Sequence, residues 1–475
     1  MNSIALATFS TIVALAIGVP VAVLIAKTKM PFRRLITVCF SVPILIPPYV
    51  LATGWFEILG RDGLVSRFTS PSVGEMTSSW LFSLPGAVLV LSTAFLPVIL
   101  LLSLASLRGV NPTLEDAARL FCGWPLVLKR ITIPLALPGI WLSLVLVFLL
   151  AMGEFGAPSY LRLSVFPVES FTQFSAFYNA GAATAASIPM LLVVAIGLLA
   201  GSRLLREGTH YFRWAGSQVT PHHISLGRFA PLTSALVLIA ALVLIVAPCA
   251  ALIWRGFSGT AMNSALLQAT DSIAWSLLYA GIAASGVALL GFFLAYASQR
   301  RSFAKWLWID GLTLFLFAIP GTVIGIAAIV TWNHPLTGWL YASPAILILG
   351  FAAQYIAIGT HGIAAGLAQF SPSLEEAAEI AGAGWFRRVA TILTPLSKTA
   401  ITAAWLLTFI FCLRDSSLSL LLSPPGRETL TARTMTLMAN GSPDVIAALC
   451  LISMLLPVIP LAIFGIAVRI VRKRA

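Results

Sequence analysis

Sixteen acids, five histidines and five cysteines are the main candidates that 475 residues offer for acid–base work or metal ligation. None of them stands in a Ser/His/Asp, Cys/His or paired-ligand spacing, and the sequence holds no G-x-x-x-x-G-K-[ST] phosphate loop. The adjacent pair His222-His223 reads as part of a solvated polar stretch rather than a metal site. Two kinds of charged residue remain. Glu154, in MGEFGAP, and Asp415, in CLRDSSL, lie at the outer ends of long apolar runs. An acid within a membrane costs roughly 2.5–3.5 kcal/mol at mid-span, so each invites a functional reading. The chemistry would be electrostatic: both acids could line a path that favours a cationic or metal-bearing cargo. The local alternative is a carboxylate hydrogen-bonded to loop backbone at the outer interface. The second kind is a set of eleven charged residues gathered in two matched polar islands, residues 111–139 and 371–399.

The islands align residue by residue. Leu114-Glu115-Asp116-Ala117-Ala118 matches Leu374-Glu375-Glu376-Ala377-Ala378. A Gly/Trp segment follows, including Cys122-Gly123 in the first copy and Gly382 in the second, and then a basic pair, Lys129-Arg130 or Arg387-Arg388. Each island closes on an Ile-x-x-Pro run ending at Pro134 or Pro395. Thr113 and Ser373 stand three residues before the acids, a capping-box spacing that predicts a helix start with carboxylates in its first turn. Pro112 and Pro372 stop the preceding chain from continuing as helix. The Ala pair gives this helix a narrow side suited to a groove on another protein. A turn and a second, basic helix are predicted next, ending at Pro134 or Pro395 where a new apolar run begins. The plain alternative is an amphipathic helix on a membrane surface.

These islands resemble the EAA loop of ABC-importer permeases, whose pattern is E-A-A, three residues, Gly, nine residues, then I-x-L-P. The second copy follows it through Glu376, Ala377, Ala378, Gly382, Ile392 and Pro395, with Thr394 in place of Leu. The first copy has Asp116 for Glu and Cys122 for Gly, and is one residue shorter before Ile131. The resemblance covers nearly the whole chain as two fused permease domains. It implies that Glu115, Asp116, Ala117, Ala118, Cys122 and Gly123, with Glu375, Glu376, Ala377, Ala378 and Gly382, form coupling helices that dock on an ATPase dimer at the cytoplasmic face. ATP and Mg would be bound by that partner, with no cofactor and no catalysis in this chain. A periplasmic substrate-binding protein would deliver cargo to outer loops such as 157–180 and 414–442, and transport would proceed by alternating access. Fused permeases of this layout resemble those of ferric-iron, thiamine and phosphonate-type importers, and LLLSPPGRETLTARTMTLMANGSPD looks most like the iron group. The rival from another class is a secondary transporter with parallel repeats; it would need no ATPase and no matched loop helices.

Composition agrees with a membrane location: 59% hydrophobic, 9% charged, mean hydropathy +0.97. Eleven apolar stretches are long enough to cross a bilayer, near 3–26, 35–57, 84–107, 134–156, 183–205, 231–254, 272–297, 306–332, 341–366, 396–413 and 443–468. The fold class is therefore an all-α polytopic membrane protein, about eleven transmembrane helices in two parallel repeated permease domains. The first domain is 1–205, a cytoplasmic linker is 206–230, and the second domain is 231–475. With the N-terminus outside and the C-terminus cytoplasmic, 22 of the 29 Lys and Arg fall in inner loops or the inner tail, and both islands land on the cytoplasmic side. The net charge of +13 is thus a topology signal in an inner membrane, not a nucleic-acid footprint. Pro47-Pro48 and Pro320-Gly321 interrupt corresponding spans, where broken helices can line a cavity or be plain kinks. The first half has one span fewer than the six that family members carry per half; either it has been lost or the start lies upstream. The five cysteines form no cluster and read as buried free thiols.

Overall fold

The computed structural model describes residues 2–212, 224–300, 303–371 and 373–465. These are helical, with one isolated bridge between Thr28 and Ile224 and no strand among the described residues. Nine helices among them are long and apolar enough to span a membrane, and two bent pairs bring the number to eleven. The eleven stretches expected from hydropathy are all present. All five cysteines are free, but only Cys412 and Cys450 are buried as expected; Cys39, Cys122 and Cys249 are partly exposed. Most of the linker (213–223, with its histidine pair), Pro372 and the basic C-terminal end 466–475 lie outside the described residues.

Contacts divide the chain into two units, Met1–Met262 with Ser442–Leu451, and Asn263–Gly441 with Ile452–Ala475. The boundary differs from the one read in the sequence. The span Gly227–Gly256, expected at the head of the second domain, packs within the first unit. Its start is pinned by the parallel bridge, where Lys29 N donates to Ile224 O at 2.9 Å and Ile224 N to Lys27 O at 2.7 Å. Its middle touches Gly54, where a Cβ would come within 2.8 Å of the Pro248 carbonyl oxygen. Its end carries Arg255, which donates to Glu57 at 2.6 Å and to Asp444 at 2.8 Å.

In the first unit, Asn2–Lys27 lies along Leu84–Gly109. Gly18 meets Ile99, and further on Lys27 meets Glu115, just beyond the second helix, so the two helices run in the same direction. The chain between them must therefore return across the unit. It does so through Arg33–Leu45 and Pro48–Phe68, bent by 108° at the Pro47-Pro48 step. The second unit repeats this design. Ala261–Arg300 lies alongside Ala345–Leu367, Gly291 meeting Gly359 before Tyr296 meets Glu375. The return runs through Trp308–Ala318 and Gly321–Trp332, bent by 102°. Both bent pairs are thus broken spans rather than hairpins. Pro47 and Pro320 hold the two breaks in the same conformation, φ −57° with ψ 141° and 140°. Proline supplies the fixed φ, and its missing N–H is no loss at a helix start.

The Gly291–Gly359 crossing brings backbone against backbone. A Cβ on Gly291 would lie 2.6 Å from the Gly359 carbonyl carbon, and one on Gly359 would lie 2.5 Å from the Val287 carbonyl oxygen. Small residues permit this approach in membrane helices. Gly291→Val is expected to cost about 3 kcal/mol or more, because backbone cannot yield as a side chain can. Gly286→Ala, where a Cβ meets nothing within 4 Å, is expected to stabilise the helix by up to about 1 kcal/mol. Thermal unfolding of the purified chain in detergent reads both, and equal melting of the two variants would refute the assignment.

Candidate functional site

Both polar islands fold as a short helix, a turn and a second helix that runs directly into the following span. In the first, the short helix is Pro112–Arg119. The cap lies two residues ahead of the expected one. Asn111 accepts from Thr113 N at 3.0 Å, so Thr113 is already inside the helix and no capping box forms. In the second island, helix Ser373–Ile380, Ser371 Oγ accepts in the same way from Ser373 N at 3.3 Å. Pro112 takes the first helical position, where its missing N–H costs nothing.

The second helices do not end at Pro134 and Pro395 as the sequence reading expected. Trp124–Gly153 and Trp385–Arg414 are each continuous. Residues Leu128–Thr132 and Val389–Leu393 form a π turn just before the proline in both copies. A widened turn leaves room for the proline ring and removes the need for its N–H, so the helix passes through. Basic loop and membrane span therefore form one rigid rod in each unit.

Within the motif, the neighbouring acids separate by environment. Glu115 and Glu375 turn inward, with 1% and 4% of their surface exposed. Glu115 takes the Lys27 ammonium at 2.8 Å and the Thr132 hydroxyl at 2.6 Å, and Glu375 accepts from the Tyr296 hydroxyl at 2.7 Å. They hold the loop to its own unit. Ala117, Gly123, Glu376, Ala377 and Gly382 are exposed, and Asp116, Ala118 and Cys122 half-buried. Gly382 has φ +82° and closes the helix, with Ala383 N donating to Ala378 O at 2.9 Å. Cys122 cannot take that conformation cheaply. Its N–H donates instead to Ala118 O at 3.0 Å, an ordinary helical bond. This different exit accompanies the one-residue shortening of the first loop.

Sequence reasoning missed the largest feature of these loops. Leu120 and Ile380, at corresponding positions, are 82% and 88% exposed, and Phe121 is 90% exposed. Phe386 and Leu374 extend the apolar surface of the second loop. The signal lay in the sequence as bulky apolar residues inside an otherwise polar segment.

The path candidates come together within each unit. Glu154 and Asp415 cap the spans that end at Gly153 and Arg414 with nearly equal backbone angles, φ −71° and −69°, ψ 127° and 123°. Each carboxylate accepts from the backbone of the next short helix, Glu154 from Gly156 N at 3.1 Å and Asp415 from Leu418 N at 2.7 Å. These short helices, Gly156–Tyr160 and Ser417–Leu422, pack on the helices that leave the two breaks. Gly321 lies so close to Ser417 that any Cβ would clash with its hydroxyl. Two further residues of this region were not anticipated. Gln354 donates to Phe317 O at 3.1 Å and Ile319 O at 2.9 Å, satisfying carbonyls freed at the Pro320 break. Tyr355 donates to Asp415 at 2.6 Å.

The description of the inner membrane component of binding-protein-dependent transport systems matches residues 18–206 and again 286–474. Among similar proteins is the ferric transport system permease protein FbpB of Actinobacillus pleuropneumoniae. It is 27% identical over 471 residues, 94% of this chain and 68% of the relative. Fe(3+)-transport system permease protein FbpB 2 of Haemophilus influenzae is 25% identical over 436 residues, 90% of this chain and 82% of the relative. Molybdenum transport system permease protein ModB of Escherichia coli K12 is 32% identical over 183 residues, 37% of this chain and 76% of the relative.

Proposed function

Because the chain belongs to the inner-membrane components of binding-protein-dependent transport systems, with two copies of the domain in one polypeptide, we propose that it forms the path of an ATP-driven importer for ferric iron. The observation that carries the ATP-driven part is the pair of loops. Each presents a short helix with bulky apolar residues bared to solvent, anchored from beneath by a buried glutamate and continuous with a span. Exposed apolar groups on a polar loop fit a protein partner. A rod that begins at that contact and enters the membrane can pass motion on.

In this reading an ATPase dimer binds ATP and Mg at the cytoplasmic face and grips both loops. ATP closure draws the loops together, the spans follow, and the path opens alternately to each side. The N-terminus then lies outside, and a periplasmic binding protein delivers cargo to the outer face. Iron is favoured by the relatives named for ferric transport, which match the chain nearly end to end, whereas the molybdenum relative matches a shorter part.

The test is uptake of ferric iron by proteoliposomes holding the chain, its ATPase and its binding protein, with molybdate as the comparison. Glu154→Gln with Asp415→Asn is expected to lower iron uptake about tenfold, since acids along a path concentrate cations by that order. Unchanged uptake would remove both acids from the path. ATP-dependent uptake of molybdate in place of iron would overturn the cargo.

A further inference from the structure

One corner of the first unit gathers exposed cations and exposed apolar side chains. Two stretches of chain meet there. One leaves span Asn2–Lys27 through residues 28–31 and enters helix Arg33–Ser41. The other runs from Ile224 into span Gly227–Gly256. Lys29 N donates to Ile224 O at 2.9 Å, and Ser234 Oγ donates to Pro31 O at 3.4 Å. Helix Arg33–Ser41 also packs on that span.

Lys29, Arg34 and Arg228 stand around this joint, and all three are exposed. The Arg228 guanidinium lies over the Phe229 ring, 5.1 Å from its centroid. Lys27 differs from them, being buried and paired with Glu115. The two stretches bring no counter-charge of their own, because residues 28–56 and 208–270 contain neither Asp nor Glu. Like charges gathered at one place repel, and an anion between them relieves the repulsion.

Apolar groups border the cations. Phe32 and Phe229 are 66% and 54% exposed, and Leu35, Val38, Leu232 and Leu236 on the two helices also face outward. Phe32 keeps its place under strain: its φ is +59°, a left-handed conformation that a bulky residue rarely adopts. An outward aromatic ring is favoured at the headgroup level of a bilayer. The bias of Lys and Arg toward inner loops accounts for the sign of the charge here, but asks nothing of its grouping beside aromatic residues. Cations at the joint of two spans, bordered by outward apolar groups, fit an anionic headgroup that carries acyl chains.

We propose that Lys29, Arg34 and Arg228 form a binding site for an anionic phospholipid, with Phe32 and Phe229 at the level of its headgroup. The bound lipid braces span Gly227–Gly256 against helix Arg33–Ser41, bridging two stretches that are far apart in the chain. The site is independent of the cargo and of ATPase docking.

The experiment is lipid binding by the full chain, purified and delipidated in mild detergent. Phosphatidylglycerol is titrated against phosphatidylcholine of the same chains, with bound lipid counted by native mass spectrometry and melting followed in parallel. Each cation beside an anionic lipid contributes about fivefold, so phosphatidylglycerol is expected to bind about a hundredfold more tightly at low salt and to raise the melting temperature. Lys29→Gln, Arg34→Gln and Arg228→Gln together are expected to abolish that preference while leaving the lipid-free melt unchanged, since all three side chains are exposed. Arg119→Gln, Lys129→Gln and Arg130→Gln remove the same charge from the first polar island and are expected to change the preference by less than about twofold. Phe32→Asn suits the left-handed backbone better, and is expected to melt no lower without lipid yet bind phosphatidylglycerol about fivefold more weakly. Equal binding of the two lipids would overturn the inference, and so would equal losses in the two triple variants. Glycerol phosphate competing as well as the intact lipid would overturn the lipid in favour of a free phosphate. Binding with no rise in melting temperature would overturn the brace.

Discussion

Leu120→Asp together with Ile380→Asp is expected to strip the ATPase from the purified complex while leaving the membrane chain folded. The two residues occupy the same place in the two loops and are 82% and 88% exposed. Burying a side chain of this size at an interface contributes about 1.5–3 kcal/mol each. Losing both, and placing a carboxylate in each desolvated contact, weakens binding by about a hundredfold or more. Stability of the chain should hardly change, because surface substitutions away from packed groups stay within about 0.5 kcal/mol. The measurement is affinity purification from native membranes in mild detergent, with the ATPase quantified against this chain and a thermal melt run in parallel. Glu376→Lys, on the exposed side of the second loop, should weaken the complex by a smaller step. A double variant that retains stoichiometric ATPase would show that the apolar faces are not the contact, and would bring forward a carrier driven by ion gradients.

What could be read from the sequence followed from what kind of regularity carries the information. Spans were legible because the bilayer demands about 20 apolar residues whatever surrounds them. The duplication was legible because both loops keep the same residues in the same order. The two breaks could be placed at Pro47-Pro48 and Pro320-Gly321, since proline acts locally. Their bends beyond 100° could not, because the angle depends on what each helix packs against. The cap fell on Asn111 rather than Thr113 because Pro112 fixes the first helical turn two residues earlier than the capping-box spacing suggests. The proline-terminated loop helices ran on into the membrane because π turns accommodated Pro134 and Pro395. Adjacent acids in the motif looked alike as letters. Only packing shows that Glu115 and Glu375 face inward while Glu376 faces out. Lys27 and Tyr296, which reach these two inward acids, lie 88 and 79 residues away. The membership of span Gly227–Gly256 in the first unit was hidden for the same reason: its anchors are long-range contacts with no local signature.

The strongest of those anchors yields the second large effect. Arg255→Met is expected to destabilise the first unit by about 3 kcal/mol, through the charge it leaves behind. Arg255 Nη1 lies 2.6 Å from Glu57 and Nε lies 2.8 Å from Asp444, so one guanidinium joins three spans whose residues are 198 and 189 positions apart. Glu57 has only 7% of its side chain exposed and borders a cavity of about 280 Å³. Without the cation its buried carboxylate loses the hydrogen-bonded partner that offsets its desolvation. The Asp444 contact weighs less, since half of that side chain meets solvent, so Asp444→Asn should cost under about 1 kcal/mol. Arg255→Lys should restore only part of the loss, because an ammonium cannot present two donors in the fixed fork that reaches both acids. Glu57→Met added to Arg255→Met should recover most of the stability, since replacing both members of a buried pair by apolar groups is close to neutral. Thermal unfolding in detergent orders the four variants. If Arg255→Met melts with the unsubstituted chain, or the double variant melts no higher than the single, the network does not hold the extra span. Its attachment would then rest on the Gly54–Pro248 contact and the Thr28–Ile224 bridge, and Gly54→Val would become the more damaging change.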